Sequence, residues 1–265
     1  MLFRSWASRS YRDRKMAKYF DAVLALLPFE APFFEKHGLP ARFVGHPALE
    51  RGERMVGGDL FRQACGIANY RPLLAVLPGS RRNEIRFILP VFKEAVRLLV
   101  KEVPDLICVL PTMPHVAQAV HEGTAEWPTP IVVVEGEREK YAAFDAADVA
   151  LAASGTVTTE LALAKTPMVV GYKVGGLTFL LSKPLMNIRF ITLINLILDR
   201  EAVPEFLQDA CTPENLATAL LPLVRNKLAR TKQLSAQAEA LRALGQGAEA
   251  PSTRAARALL ELARR

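Results

Sequence analysis

Between Leu73 and Tyr172 the chain alternates two kinds of segment, and this alternation restricts the fold more than any other feature. Leu73-Leu74-Ala75-Val76-Leu77, Leu106-Ile107-Cys108-Val109-Leu110, Ile131-Val132-Val133-Val134, Val149-Ala150-Leu151 and Met168-Val169-Val170-Gly171-Tyr172 are short and apolar, with no polar face. A strand reads this way when both of its faces are covered, as in a parallel sheet with helices on either side. Helix-prone segments separate the runs, at about residues 83–102, 114–122, 138–147 and 161–165. In the first of them Ile85, Ile88, Leu89, Phe92, Ala95, Val96 and Leu99 recur at helical spacing and define one apolar face. The expected fold class is α/β, a doubly wound parallel sheet whose ligands bind at the carboxyl ends of the strands.

Two of the strand-to-helix turns have the composition of an anion site. Pro78-Gly79-Ser80-Arg81-Arg82-Asn83-Glu84 follows the first apolar run, and Ala153-Ser154-Gly155-Thr156 follows the fourth. The first N–H groups of a helix lack partners inside it, and the helix dipole is positive there, so such a turn suits a phosphate. Gly79, Ser80, Ser154, Gly155 and Thr156 offer backbone or hydroxyl donors, and Arg81 adds a charged fork. Glu160 falls one turn into the second helix, on the face of Thr156. A carboxylate there could accept hydrogen bonds from the two hydroxyls of a ribose, and phosphate plus ribose describes a nucleoside diphosphate. The alternative is a pair of ordinary βα turns with solvated charges.

The rest of the chain gives weaker signals. Residues 8–19 form a basic, helix-prone segment; a buried strand at 21–27 and a short helix at 31–37 follow, and Arg42-Phe43-Val44 is a second short strand. This opening reads as the remnant of a first domain, residues 1–50. Residues 51–71, with Gly52, Gly57 and Gly58, read as a linker running into a short helix. A nucleotide domain over 72–210 and helices over 211–265 complete the division, the helices crossing back or exchanged in a dimer. His46, beside the turn Gly45-His46-Pro47, is a candidate acid or base, or a structural histidine. Tyr172, Asn195 and Glu201 are candidate pocket residues, each equally readable as packing or surface.

The net charge of +7 favours anionic partners, either phosphorylated substrates or an anionic membrane surface. Nucleic acid is disfavoured, because no recognition module or interleaved aromatics accompany the basic segment. Cys65, Cys108 and Cys211 are odd in number, scattered and flanked by apolar residues, as reduced core thiols are. The four histidines form no cluster, so neither a metal nor another cofactor is expected. The apolar stretch 177–198 is interrupted by Lys183, Pro184, Asn187, Arg189 and Asn195, whereas a spanning helix needs about 20 nearly uncharged residues. It suits a membrane interface or a subunit contact.

Several segments together resemble lipid-A-disaccharide synthases. They are Phe43-Val44-Gly45-His46-Pro47, Leu77 to Ile85, Ala153-Ser154-Gly155-Thr156 with Glu160, Pro167 to Lys173, Asn195-Leu196 and Glu201 to Gln208, in the family's order and spacing. The resemblance runs from about residue 6 to the C-terminus and implies the two-domain GT-B fold, with Rossmann-like halves. It implies an inverting, metal-independent glycosyltransferase that joins UDP-2,3-diacylglucosamine to 2,3-diacylglucosamine 1-phosphate and releases UDP, on the cytoplasmic face of a Gram-negative inner membrane. By resemblance, Gly79, Ser80 and Arg81, the Ser154-Gly155-Thr156 turn with Thr159, and Tyr172 meet UDP. Glu160 holds its ribose, and Arg81 and His46 are the catalytic candidates. A homodimer with exchanged C-terminal elements is also implied. The chain departs from the pattern in two ways. Met1 falls near the end of the family's first domain, so the acceptor site and general base are expected outside this chain. Leu193-Ile194-Asn195 stands where the family has Leu-Pro-Asn. The alternatives are another UDP-N-acetylhexosamine transferase or epimerase of GT-B fold, or a non-catalytic UDP-binding or interaction protein.

Overall fold

The computed structural model describes residues 15–173 and 189–264. Most of the basic segment 8–19 and of the apolar stretch 177–198 lies outside these residues. A small parallel pair comes first: β1 (Val23–Ala25), α1 (Ala31–Glu35) and β2 (Ala41–Phe43), with Val23 opposite Ala41. A 3₁₀ segment, Pro47–Arg54, and α2 (Gly58–Ala64) lead into the main sheet.

That sheet holds β3 (Leu73–Leu77), β4 (Ile107–Thr112), β5 (Ile131–Glu135), β6 (Val149–Ala152), β7 (Met168–Tyr172) and β8 (Glu205–Leu207). All its pairings are parallel, and the spatial order is β5-β4-β3-β6-β7-β8. The order is that of a doubly wound fold, with the first half running outward to β5 and the second half starting beside β3. The five runs identified from sequence are five of the six strands. β8 is the one not anticipated: it is three half-buried residues preceded by a proline, too short to carry a periodic signal.

Helices cover both faces, as the apolar runs require. On one face α3 (Arg82–Glu102) and α8 (Pro213–Arg225) pack with α4 (Ala117–Thr124). The buried residues of α3 are Ile85, Ile88, Leu89, Phe92, Ala95, Val96 and Leu99, the face read from helical spacing. The other face is covered by α2, α5 (Glu137–Ala146), α6 (Val157–Leu163), α7 (Leu193–Leu198) and α9 (Lys227–Ala243). Gln233 of α9 bonds both backbone groups of Met168, accepting from its N–H and donating to its carbonyl, so the helix is tied to β7 by side-chain amide as well as by apolar contact.

The last helix, α10 (Pro251–Ala263), runs back onto the small pair. Arg254 donates to the Phe43 carbonyl at 2.8 Å and lies 5.3 Å from the Phe43 ring centroid. Glu50 accepts from the Ser252 N–H at 2.7 Å. Gly45 has φ +96°, and a Cβ there would stand 3.2 Å from Pro251, so the turn after β2 can approach α10 only as glycine. Residues 51–71 are therefore more than a linker. Phe61 and Arg62 are buried, and the 3₁₀ segment packs on α6. Of the three thiols, Cys108 and Cys211 are buried while Cys65 is half-buried; burial pushes Cys108 up to about 12 and Cys211 up to about 11. Among the described residues no helix is long and apolar enough to cross a membrane.

Candidate functional site

β3 and β6 are neighbours, with Leu77 opposite Ala152 and the Ala153 N–H donating to the Leu77 carbonyl at 2.7 Å. The helices that follow them go to opposite faces, α3 to one and α6 to the other. Where connections diverge like this, a crevice opens at the carboxyl ends of the two strands. The turns Pro78–Arg81 and Ala153–Thr156 are the walls of that crevice, so the two phosphate-suited turns share one rim.

The first turn is organised by Glu84. One carboxylate oxygen accepts from the N–H groups of Ser80 (2.9 Å) and Arg81 (3.2 Å), and the other accepts from Arg81 Nη1 (3.2 Å). Gly79 has φ +115°, and a Cβ there would fall 2.4 Å from the Glu84 carboxylate, so only glycine allows this close approach. The expectation that the Ser80 backbone would serve a phosphate is corrected: its N–H is already committed. Ser80 is exposed, and the Arg81 side chain is 80% exposed. His115, from the loop after β4, approaches the Ser80 carbonyl at 2.7 Å and steadies the turn from the other side. Sequence reasoning missed both supports. Glu84 left a signal, an acid at the third helical position as in a capping box. The His115 contact joins distant segments and left none.

In the second turn Ser154 is half-buried, and Gly155 and Thr156 are exposed. Thr159 is different: it is 1% exposed, so its side chain is covered in this conformation. Glu160 is also buried, and each of its oxygens accepts from a cation. Arg51 of the 3₁₀ segment donates to one at 2.7 Å, and Lys140 of α5 to the other at 3.0 Å. Lys140 in turn stands 4.5 Å from the Tyr141 ring centroid. Tyr141 donates to Glu137 at 2.8 Å, and burial and that bond push its pKa up to about 12. Neither Arg51 nor Lys140 was anticipated from the sequence.

His46 caps the 3₁₀ segment, its Nδ1 accepting from the Ala48 N–H at 3.2 Å. Burial, and then the charge of Arg51, hold its pKa below the ordinary value. A neutral imidazole that accepts at Nδ1 carries its proton on Nε2, so it has a donor to offer and no free lone pair. The proposed role as a base is corrected on that ground. Tyr172 ends β7 beside the first turn. Burial raises its pKa, as does the nearby Glu84, while Arg81 opposes the shift.

Asn195 and Glu201 do not join this group. Asn195 is fully buried, and its amide is saturated: Oδ1 accepts from Ala202 and Val203 at 2.8 and 2.9 Å, and Nδ2 donates to the Val203 carbonyl and to Glu205. Glu205 also accepts from the Ile191 and Thr192 N–H groups and the Thr192 hydroxyl. Asn195 is thus a pin holding α7 to the turn before β8, not a pocket wall. Asn195→Ala is expected to lower unfolding free energy by about 2 kcal/mol, since it leaves buried groups unpaired; urea denaturation reads this directly. Glu201 is exposed in the turn that leads into β8, at the end where that strand begins.

A parallel sheet of this order, covered by helices on both faces, defines an α/β domain of the GT-B kind. Solved structures agree on the fold. A UDP-GlcNAc 2-epimerase from Neisseria meningitidis, bound to UDP-GlcNAc, is similar over 100% of this chain and 67% of its own, with TM-score 0.60 and 13% identity. WaaG, a glycosyltransferase involved in lipopolysaccharide biosynthesis, is similar over 88% of this chain and 61% of its own, with TM-score 0.53 and 16% identity. The chain belongs to the lipid-A-disaccharide synthetase family, whose sequence model matches residues 4–259. It is 46% identical over 257 residues to the lipid-A-disaccharide synthase of Rhodospirillum centenum (strain ATCC 51521 / SW), and 43% identical over 261 residues to that of Paramagnetospirillum magneticum (strain ATCC 700264 / AMB-1). These alignments cover 97% and 98% of this chain but only 64% and 67% of the relatives, so the chain spans about two-thirds of their length.

Proposed function

We propose that this chain is the UDP-sugar-binding half of an inverting glycosyltransferase of lipid A biosynthesis. It takes UDP-2,3-diacylglucosamine as donor and 2,3-diacylglucosamine 1-phosphate as acceptor, at the cytoplasmic face of the inner membrane and as a homodimer. The observation that carries the reading is the pair of turns at adjacent strand ends, with an exposed Arg81 on the first of them. In this reading the diphosphate lies against Arg81, the Ser80 hydroxyl and the Ser154-Gly155-Thr156 turn, near Tyr172, and the ribose reaches Glu160. Attack of the acceptor hydroxyl on the anomeric carbon breaks the bond to UDP, and negative charge grows on the departing diphosphate. A preorganised guanidinium at that point stabilises the charge more in the transition state than in the ground state. Family membership and the anionic, acylated chemistry of the substrates, which the chain's net charge of +7 suits, support the reading.

Isothermal titration with UDP tests it. Saturable binding is expected, and no heat of binding would overturn the proposal. Acylated and non-acylated UDP-glucosamine separate this reading from other UDP-hexosamine enzymes: only the acylated donor should be turned over. A chain that binds UDP without turnover of its own is the second reading, supported by its span of about two-thirds of the relatives. Binding without transfer by the isolated chain, and transfer once the relatives' additional segment is supplied, is the result that reading expects.

A further inference from the structure

We propose that Arg51 is a latch on Glu160: it occupies the carboxylate while the nucleotide site is empty and gives it up to the ribose when UDP binds. The inference rests on the UDP reading above. It adds a link between the nucleotide site and the segment that joins the two sheets.

The starting point is a conflict. Glu160 is the acid that the nucleotide reading assigns to the ribose, yet its side chain is only 5% exposed and each oxygen already faces a cation, Arg51 or Lys140. Each oxygen keeps a further lone pair, so the obstacle is steric: at 5% exposure, ribose hydroxyls reach the carboxylate when one of the two side chains covering it moves aside. The two cations are not equally held. Lys140 is 23% exposed, belongs to a regular helix, and stands over the rings of Tyr141 (4.5 Å) and Phe144 (5.8 Å). Its position is fixed by cation–π contact and packing as well as by Glu160. Arg51 is 48% exposed and sits on a 3₁₀ segment. Its guanidinium is half-exposed and can return to water at little cost.

The exchange also balances at Glu160. A buried carboxylate stripped of a partner is costly, but two hydroxyl donors replace the hydrogen bond of Arg51 while Lys140 retains the compensating charge. What changes is the tether. Pro47–Arg54 continues directly from β2, carries the Glu50 that bonds α10, and packs on α6. Among the described residues, Arg51–Glu160 is the shorter and more buried of its two ionic ties to the main sheet's helices, the other being Arg54–Glu137 at 3.5 Å. Releasing that tie couples occupancy of the crevice to the hold of the small sheet and α10 on the main sheet. Arg51 acts here as a positioning residue, not as a ligand contact.

The test combines UDP titration with backbone hydrogen exchange on the full 265-residue chain. In the wild type, UDP is expected to speed exchange across residues 47–54 while slowing it at the two turns. In Arg51→Gln, exchange across 47–54 should already be fast and indifferent to UDP, and UDP should bind about 5- to 10-fold more tightly because its competitor is gone. Arg51→Lys should fall between. A purely structural Arg51 would leave UDP affinity unchanged, and that result overturns the latch, as would weaker binding in Arg51→Gln. Slower or unaltered exchange across 47–54 in the wild type on adding UDP overturns it with no variant at all. Absence of UDP binding by the wild type would bring down the nucleotide reading itself, and the latch with it, and is distinguishable because it is seen before any variant is made.

Discussion

Arg81→Ala is expected to weaken UDP binding by about 30-fold, or about 2 kcal/mol, with no change in melting temperature beyond a degree or so. The size of the effect follows from how the first turn is wired. In a phosphate loop that relies on backbone donors, losing one side chain leaves several N–H groups to hold the anion. Here the N–H groups of Ser80 and Arg81 are occupied by Glu84, so the positive charge offered to a diphosphate is concentrated in one guanidinium. Among the described residues, Nη1 of that group donates to Glu84 at 3.2 Å and the others have no partner. The other N–H groups can take phosphate oxygens in the two-point geometry that guanidinium provides. Arg81→Lys should recover only part of the loss, because an ammonium keeps the charge without the fork. The difference between wild type and Arg81→Ala should shrink at high salt, since the side chain is 80% exposed and its field is screened. Calorimetric titration at low and high ionic strength checks both statements. Equal affinity in the two proteins would mean that the crevice between β3 and β6 is not where the diphosphate sits.

The parts of the molecule that follow from local pattern were legible in the sequence, and the parts that follow from contact across the chain were not. The face of α3 repeats at helical spacing, and β3, β4, β6 and β7 are apolar runs because burial on two sides leaves little choice of residue, while β5 at the sheet edge is apolar though half-buried. The two turns could be read because a strand end, a glycine and a helix start are consecutive in sequence. Glu160 could be placed on the face of Thr156 by counting, but its partners could not: Arg51 and Lys140 come from other elements, and nothing in their own neighbourhoods marks them. Thr159 shows the limit of a motif. It lies among residues suited to a ligand, yet its side chain is covered in this conformation. Asn195 shows the same limit from the other side. Its four hydrogen bonds serve the backbone of the turn before β8 and Glu205, the first residue of β8, and a polar residue in an apolar stretch reads the same from sequence whether it lines a pocket or pins a loop.

Arg62→Ala is expected to lower unfolding free energy by about 3 kcal/mol and to leave UDP affinity untouched. Arg62 is 7% exposed, an unusual position for an arginine, and it is tolerated because its donors are used. Nε donates to the Ala146 carbonyl at 3.0 Å, Nη1 to the Arg71 carbonyl at 3.1 Å, and Nη2 to Asp148 at 2.8 Å. The same Asp148 oxygen accepts from the Leu73 N–H at 2.9 Å. One guanidinium thereby clasps the end of α5 and the starts of β3 and β6, where the chain has just left one element and has no ladder partner for its polar groups. Removing it strands two carbonyls and loosens Asp148. The loss stays at the lower end of the range for a broken buried ion pair, because the Asp148 side chain is 43% exposed and can rehydrate. Arg62→Lys keeps the charge but reaches fewer of these acceptors, and it should recover less than half of the loss. These contacts gather where β3 and β6 begin, whereas the two turns leave from where the same strands end, so a change at one rim reaches the other through the intact sheet or along α5, which joins the Ala146 carbonyl held by Arg62 to Lys140 on Glu160. A denaturation curve whose midpoint falls with its slope unchanged, together with an unaltered UDP isotherm on the folded variant, is the expected pair of results. A fall in UDP affinity equal to that of Arg81→Ala would instead mean that the sheet does not insulate its two rims, and that the walls of the crevice depend on how β3 and β6 are held where they begin.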